Sequence, residues 1–189
     1  MKSILSFSAT LALSATLAHA DAMQTSMINY VNESMRDMIA FDAAHAAIKA
    51  SNAAHSGLSE AEILALDTLW RSEIGLSSRP TIDPVLRSEV SLRLQGYVAE
   101  SQGRITEIIM MDNRGMNVAV SDVTSDFWQG DEAKYLETYP KGAEAMHISE
   151  VELDESSQTY QAQVSFVLSD PETGNPIGAV TVGLNAEEF

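Results

Sequence analysis

The hydrophobic pattern of this chain changes its period at Gly103, and that change constrains the fold more than any other feature of the sequence. Before Gly103, apolar residues recur every three or four positions, as they do on one face of a helix. After it, apolar and polar residues alternate, as they do on a half-buried strand. Helices followed by strands predict an α+β fold with an antiparallel sheet. We expect residues 21–103 and 104–189 to be the helical and sheet parts of one domain.

A single long helix is predicted at the start of the helical part. From Asp21 to the vicinity of Gly57 the sequence has neither proline nor glycine, and it is rich in alanine, which favours helices. We expect its apolar stripe to face the sheet or, where the helix projects beyond the sheet, to form a homodimer. The stripe comprises Met27, Val31, Met38, Phe41, His45 and Ile48.

Two further helices are predicted before Gly103. Ser59 and Glu62 form a capping-box pattern that begins the second helix. Asp83, as N-cap, and Pro84, at the first helical position, begin the third. The predicted inner faces are Ile63, Leu66, Trp70 and Ile74 on the second helix, and Leu86, Val90, Leu94 and Tyr97 on the third.

Five strands are predicted in the sheet part. The first two form a hairpin around the turn residues Asp112-Asn113-Arg114-Gly115, and the last three form a meander. Residues 122–143 join the hairpin to the meander and are irregular, with a short helix predicted over 131–138. The predicted strands cover residues 105–111, 116–121, 146–153, 160–168 and 177–184.

The first 20 residues have the pattern of a signal peptide. Lys2 precedes an apolar stretch from Ile4 to Leu17, and Ala18-His19-Ala20 fits a small-x-small cleavage site. An uncleaved anchor is the alternative, but the apolar stretch is short for a spanning helix, which needs about 20 residues. The short positive region indicates bacterial export, so we expect a periplasmic protein that begins at Asp21.

Charge and cysteine content exclude several classes of function. The chain has 11 Lys and Arg against 27 Asp and Glu, a formal net charge of −16, and no cysteine. So acidic a chain is a poor partner for nucleic acid, whose phosphates need a basic surface. The absence of cysteine excludes disulfides, thiolate catalysis and Cys-ligated metals. The protein therefore relies on its core for stability.

The sequence contains no motif of an enzyme and no strong metal signature. It lacks the G-x-S-x-G nucleophile turn and the glycine-rich phosphate loops, so we predict no enzymatic activity and no cofactor. The three histidines of the mature part, His45, His55 and His147, are dispersed, and neither they nor the acids of 122–132 have ligand spacing. A metal-binding periplasmic protein remains an alternative.

The sheet part resembles the periplasmic PAS-like sensor domains called Cache domains. The strand at 105–112 with its turn, the strand at 117–121, and the two closing strands carry part of the resemblance, which covers residues 104–185. Its most specific part is the segment Ser125-Asp126-Phe127-Trp128-Gln129-Gly130-Asp131-Glu132. The resemblance implies a five-stranded antiparallel sheet with a long N-terminal helix behind it.

The same resemblance implies a small-molecule ligand between the sheet and residues 122–143. By position, the expected ligand-binding residues are Asp126, Trp128, Asp131 and Tyr135. Trp128 would supply an aromatic wall, and the two carboxylates would face a cationic group of the ligand. The alternative is that the aromatic residues only anchor the loop to the sheet.

These observations predict an exported soluble sensor-type domain that serves signal transduction. No membrane-spanning stretch follows the last predicted strand, so we expect the domain to present its ligand to a membrane receptor or kinase. An alternative is a protein interaction module without a small-molecule ligand, which would use the helices or the acidic surface of the sheet.

Overall fold

The computed structural model describes residues 21–154 and 159–189, and its helices precede its strands. The α+β prediction is confirmed, whereas the expected signal peptide, residues 1–20, lies outside the described residues. The helices are α1 (residues 21–30), α2 (Arg36–Ile39), α3 (Asp42–His55), α4 (Glu60–Glu73), α5 (Ile82–Leu86), α6 (Glu89–Glu100) and α7 (Ala133–Leu136). The strands are β1 (Ile105–Met111), β2 (Asn117–Val120), β3 (Met146–Ile148), β4 (Glu152–Asp154), β5 (Thr159–Ser169) and β6 (Pro176–Asn185).

The predicted first helix is interrupted, which corrects the expectation of one continuous helix. A π-helical turn, Val31–Met35, joins α1 to α2, and the helix ends at Ala40, whose ψ of 49° is not helical. The buried side chains of this part recur every four residues, at Met27, Val31, Met35 and Ile39. Because a π turn holds more residues per turn than an α-helix, it keeps this spacing directed at the sheet.

The sheet covers the apolar stripe of the N-terminal helices within a single chain. Met27, Val31 and Ile48 are fully buried and pack in one cluster with the strand residues Val164 and Val182. The stripe is thus already covered where it meets the sheet, and a homodimer through the first helix stays a prediction.

The second predicted helix is confirmed with its start. The Oγ of Ser59 accepts a hydrogen bond from the backbone nitrogen of Glu62, and the Glu62 carboxylate accepts one from the backbone nitrogen of Ser59. The inner face is correct at Ile63 and Trp70, which are buried. It is wrong at Ile74, which is 45% exposed because α4 ends at Glu73 and the chain turns away.

The third predicted helix is two helices, α5 and α6. Ser88 separates them with an extended backbone and caps α6 by accepting a hydrogen bond from the backbone nitrogen of Ser91. Asp83 lies inside α5 rather than at its N-cap and pairs with Arg79 at 2.8 Å. Instead, the carboxylate of Glu73 accepts hydrogen bonds from the backbone nitrogens of Thr81 and Ile82 at the start of α5.

The sheet is antiparallel, with the strand order β2-β1-β6-β5-β3 and with β4 also paired to β5. It has six described strands rather than the expected five, because the predicted strand at 146–153 is divided. Between its halves, the backbone nitrogen of Gln163 donates a hydrogen bond to the Oγ of Ser149. In a regular antiparallel ladder, this nitrogen would donate to a backbone carbonyl instead. β3 and β4 therefore pair with β5 on either side of this residue.

Both faces of the sheet are covered. Helices α1 to α3 pack on one face, in the cluster described above. On the other face, Trp70 of α4 and Phe127 of the 122–143 segment stack at 5.4 Å between ring centroids and pack with Ile109 and Met111 of β1. Across the described part of the chain, no helix is long and apolar enough to cross a bilayer.

Candidate functional site: a polar cleft on the sheet

The sheet face beneath residues 122–143 changes from apolar to polar along its strands. At one end, Met111 of β1 and Val167 of β5 flank Ala179 of β6, and all three are buried. One row further along the strands, Ser165 and Thr181 are fully buried, and their hydroxyl oxygens lie 2.9 Å apart. Buried polar side chains need hydrogen-bond partners, and these two hydroxyls supply one for each other. This end of the sheet face therefore carries hydrogen-bonding groups instead of apolar side chains.

Glu107 and Gln163 form the next row, on either side of Gly183. The Nε2 of Gln163 donates to the Oε1 of Glu107 at 2.8 Å, and the Nε2 of Gln161 donates to the same oxygen at 3.3 Å. A Cβ at position 183 would lie 2.7 Å from the Cγ of Glu107. The missing side chain of Gly183 is thus what lets Glu107 and Gln163 meet across β6.

A cleft of about 560 Å³ opens above these polar residues. Its volume lies within the range of small-molecule sites, roughly 300–1,000 Å³. The strands supply its floor, and the end of α4 and the 122–143 segment supply its walls. Its lining residues are Ile74, Glu107, Ile109, Val123, Thr124, Ser125, Gln129, Lys134, Gln161 and Gln163. We call it the sheet cleft.

The sheet cleft carries one residue of each charge, Glu107 and Lys134. The Lys134 side chain is only 12% exposed, and its Nζ lies 3.1 Å from a carboxylate oxygen of Glu132 and donates to the Oε1 of Gln129 at 3.2 Å. Glu107 is held from the opposite side by the amides of Gln161 and Gln163. Both charged side chains are therefore held in place before a ligand binds, and this lowers the entropic cost of binding.

The predicted aromatic residues of the site anchor the hairpin turn. The Nε1 of Trp128 donates to the carbonyl of Arg114 at 2.8 Å, and the hydroxyl of Tyr135 donates to the carbonyl of Asn113 at 2.7 Å. Gly130 lies so close beneath the indole that a Cβ there would be 2.6 Å from a ring carbon. Neither aromatic residue belongs to the lining of the sheet cleft.

The two predicted carboxylates are separated in the structure. Asp126 is half-buried and pairs with Arg71 of α4 at 2.8 Å, whereas Asp131 is exposed. Neither lines the sheet cleft. All four predicted residues therefore lie in or beside the segment that covers the cleft, but the structure does not bring them together around it, and their role in ligand binding stays a prediction.

Two buried carboxylates that the sequence reasoning missed hold this region together. The Oδ1 of Asp67 accepts hydrogen bonds from the backbone nitrogens of Phe127 and Trp128, at 2.9 and 3.1 Å. Asp112 is fully buried and accepts hydrogen bonds from Ser51 and from the backbone nitrogens of Arg114 and Met116. Asp67 carried a signal in the sequence, since it follows Ile63 by four residues and precedes Trp70 by three, on the buried side of α4.

Asp112 also pairs with the Nδ1 of His55 at 2.7 Å, while the Oγ of Ser51 contacts the same nitrogen at 3.1 Å. In a Ser-His-Asp triad, serine and aspartate contact opposite nitrogens of the imidazole. Here both lie at one nitrogen, so the cluster ties the end of α3 to the hairpin turn and does not form a triad.

Burial raises the pKa of Tyr135 and of Tyr139, and the negative charge of Asp112 raises both further. The two rings are stacked at 5.7 Å between centroids. A raised pKa favours the protonated phenol of Tyr135, which donates the hydrogen bond to the carbonyl of Asn113. Among the described residues, no group of three or more His, Asp or Glu could hold a metal ion.

No protein-family model and no curated protein matches the sequence. Solved structures do match. The V. cholerae histidine kinase DctB sensor domain is 14% identical, with a TM-score of 0.47 over 95% of this chain and 58% of that one. The ligand-binding domain of the Campylobacter jejuni chemoreceptor Tlp3, in complex with 4-methylisoleucine, is 13% identical, with a TM-score of 0.40 over 84% of this chain and 63% of that one.

These structural neighbours are sensor domains of histidine kinases and chemoreceptors. An extracellular ligand binding receptor from Desulfohalobium retbaense also matches, at 15% identity and a TM-score of 0.39, over 82% of this chain and 26% of that one. The chain spans less than two thirds of the length of each of these structures.

Proposed function

We propose that this protein is a sensor domain that binds a small zwitterionic molecule in the sheet cleft and passes the signal to a membrane receptor or kinase. The observation that carries the proposal is the presence of Glu107 and Lys134 in the lining of one cleft of about 560 Å³. An ammonium group of the ligand would pair with Glu107, and a carboxylate with Lys134. The exported, periplasmic location expected from residues 1–20 is part of the same proposal.

The remaining lining supports a ligand the size of an amino acid. Ile74, Ile109 and Val123 offer an apolar surface for an aliphatic side chain. Gln129 is buried, and its side-chain oxygen already accepts from Lys134, so it orients the lysine rather than competing for the ligand. A ligand with only one charge would form only one of the two ion pairs, with Glu107 or with Lys134, so its affinity should be lower.

Thermal-shift and calorimetric titration of the purified protein with a panel of amino acids, their decarboxylated amines and their deaminated acids tests this proposal. We expect saturable stabilisation by at least one amino acid and none by the corresponding amine or acid. Glu107→Gln and Lys134→Met should each abolish it.

Glu137→Gln and Lys141→Met are matched controls, because these two residues pair with each other at the surface, 3.6 Å apart, outside the cleft. Both controls should bind as the unmodified protein does. Binding that survives both cleft substitutions, or that an amine alone supports equally well, would overturn the zwitterion proposal.

A further inference from the structure

The side of α4 that faces away from the sheet is uncharged and exposed. Its inner side packs through Ile63 and Trp70, and its outer side presents a stripe without any acidic or basic residue. Leu64 is 44% and Leu69 is 51% exposed. The stripe, which we call the outer face of α4, comprises Ala61, Leu64, Ala65, Thr68, Leu69 and Ser72.

The polar residues of the outer face are already satisfied by their own helix. The hydroxyl of Thr68 donates to the carbonyl of Leu64 at 2.8 Å, and that of Ser72 donates to the carbonyl of Leu69 at 2.7 Å. Burial of a hydroxyl is costly when it loses its hydrogen bond to water. Because these two keep their internal bonds, the face can be covered at little cost.

We propose that the outer face of α4 binds the same face of a second copy of this chain, with the two helices antiparallel. A chain of net charge −16 repels its copies over most of its surface, so self-association needs a surface without acids. The small side chains of Ala61, Ala65 and Thr68 allow two helices to approach closely, with Leu64 and Leu69 filling the space beside them.

The charges at the rim of the face select the antiparallel arrangement. Glu60 and Arg71 lie on the same edge of the stripe, three helical turns apart, and both are exposed. In an antiparallel pair, each edge meets the same edge of its partner, so Glu60 of each copy meets Arg71 of the other. In a parallel pair, that edge would meet the opposite edge, which carries Glu62, and acid would face acid.

Arg71 is available for this second role. Its side chain is 57% exposed although it already pairs with Asp67 and Asp126. One helix of 14 residues buries a modest area, below the roughly 1,200 Å² of a stable interface, so we expect a dissociation constant in the micromolar range.

Sedimentation of the purified protein over a concentration series tests the dimer. We expect a monomer–dimer equilibrium that Leu64→Glu weakens about ten-fold or more, since two new acids would face each other. Leu92→Glu is the matched control, because Leu92 is 56% exposed on α6 and lies outside the face. A protein that stays monomeric at about millimolar concentration, or a dimer that Leu64→Glu leaves unchanged, overturns the proposal.

Cysteine cross-linking tests the orientation, and the absence of native cysteine makes it unambiguous. Ala65 lies near the centre of the face, so Ala65→Cys should form a disulfide between two copies. Ala61 lies near one end, about 14 Å along the axis from its counterpart in an antiparallel pair, so Ala61→Cys should not form one. Equal cross-linking at both positions would indicate parallel helices and overturn the proposal.

Discussion

The Oδ1 of Asp67, on α4, accepts a hydrogen bond from the backbone nitrogen of Phe127, 2.9 Å away in the segment that covers the sheet cleft. The same oxygen accepts from Trp128, and the carboxylate is only 5% exposed. A helix side chain thus helps to fix the backbone of this segment at the point where Trp128 forms an isolated antiparallel bridge with Met116.

Replacement of Asp67 by alanine should therefore destabilise the protein by about 2–4 kcal/mol, because the backbone nitrogens of Phe127 and Trp128 lose a charged acceptor. Urea denaturation measures the loss. Asp131→Ala is the matched control, since Asp131 is exposed in the same segment, and it should change stability by less than about 0.5 kcal/mol. An equal effect of the two substitutions would contradict the assignment.

Gly183→Ala should disturb the floor of the sheet cleft. The new Cβ would contact the Thr106 hydroxyl and the Cγ of Glu107, and would push Glu107 away from Gln163. We expect a loss of stability of about 1–3 kcal/mol from overpacking, together with loss of ligand binding. Stability from urea denaturation and binding from calorimetry report the two effects separately.

Gly96→Ala is the control for that substitution, because a Cβ at position 96 would meet no atom within 4 Å. Gly96 lies inside α6, so alanine should stabilise the protein by about 0.5–1 kcal/mol. If both substitutions changed the free energy of unfolding in the same direction, the close contacts around Gly183 would not explain why this position is glycine.

Trp128→Phe should separate the two interpretations of this aromatic residue. The substitution removes the donor to the Arg114 carbonyl, and we expect a loss of stability of about 1–2 kcal/mol. If Trp128 anchors the turn, the affinity for the cleft ligand should change by less than about three-fold, or 0.7 kcal/mol. A much larger loss of affinity in a folded variant would instead support the prediction that Trp128 contacts the ligand.

Glu73→Gln should destabilise the protein in a pH-dependent way. Burial raises the pKa of Glu73, but hydrogen bonds from the backbone of Ile82 and Thr81 outweigh this effect and lower the pKa below its ordinary value of 4.5. A carboxyl group with a lowered pKa contributes its full stability above the unfolded-state pKa and loses it as the pH falls through the folded-state pKa.

The difference in unfolding free energy between the unmodified protein and Glu73→Gln should therefore be largest near neutral pH and should shrink below about pH 4.5. Denaturation curves of both proteins across this range measure it. Glu89→Gln, which removes an exposed acid at the start of α6, is the control. A difference that grows as the pH falls would contradict the assigned sign.

Local signals in the sequence predicted the elements well. The capping box at Ser59 and Glu62 and the hairpin turn before Met116 depend on residues a few positions apart, and both are present. The break at Ala40 could not be predicted in this way, because no glycine or proline marks it. The helices on either side of the break, α2 and α3, both pack in the cluster with the strands, and such packing is a long-range property.

The site was harder to predict for the same reason. Gln161 and Gln163 alternate with buried residues of β5, a pattern that is also typical of a strand face in contact with water. They line the cleft only because residues 122–143 pass over that face. The sequence singled out this segment, but its most conspicuous residue, Trp128, turns toward the hairpin through its hydrogen bond to the carbonyl of Arg114.

The indole of Trp70 donates to the carbonyl of Thr124 at 2.8 Å, and Thr124 lines the sheet cleft. On the opposite side of the same helix lies the outer face of α4. A ligand that displaced Thr124 would therefore act directly on α4, the helix that carries the proposed dimer contact. The proposed ligand site and the proposed dimer contact would then lie on opposite sides of one helix, about 10 Å apart, so that a movement of α4 alone could couple them.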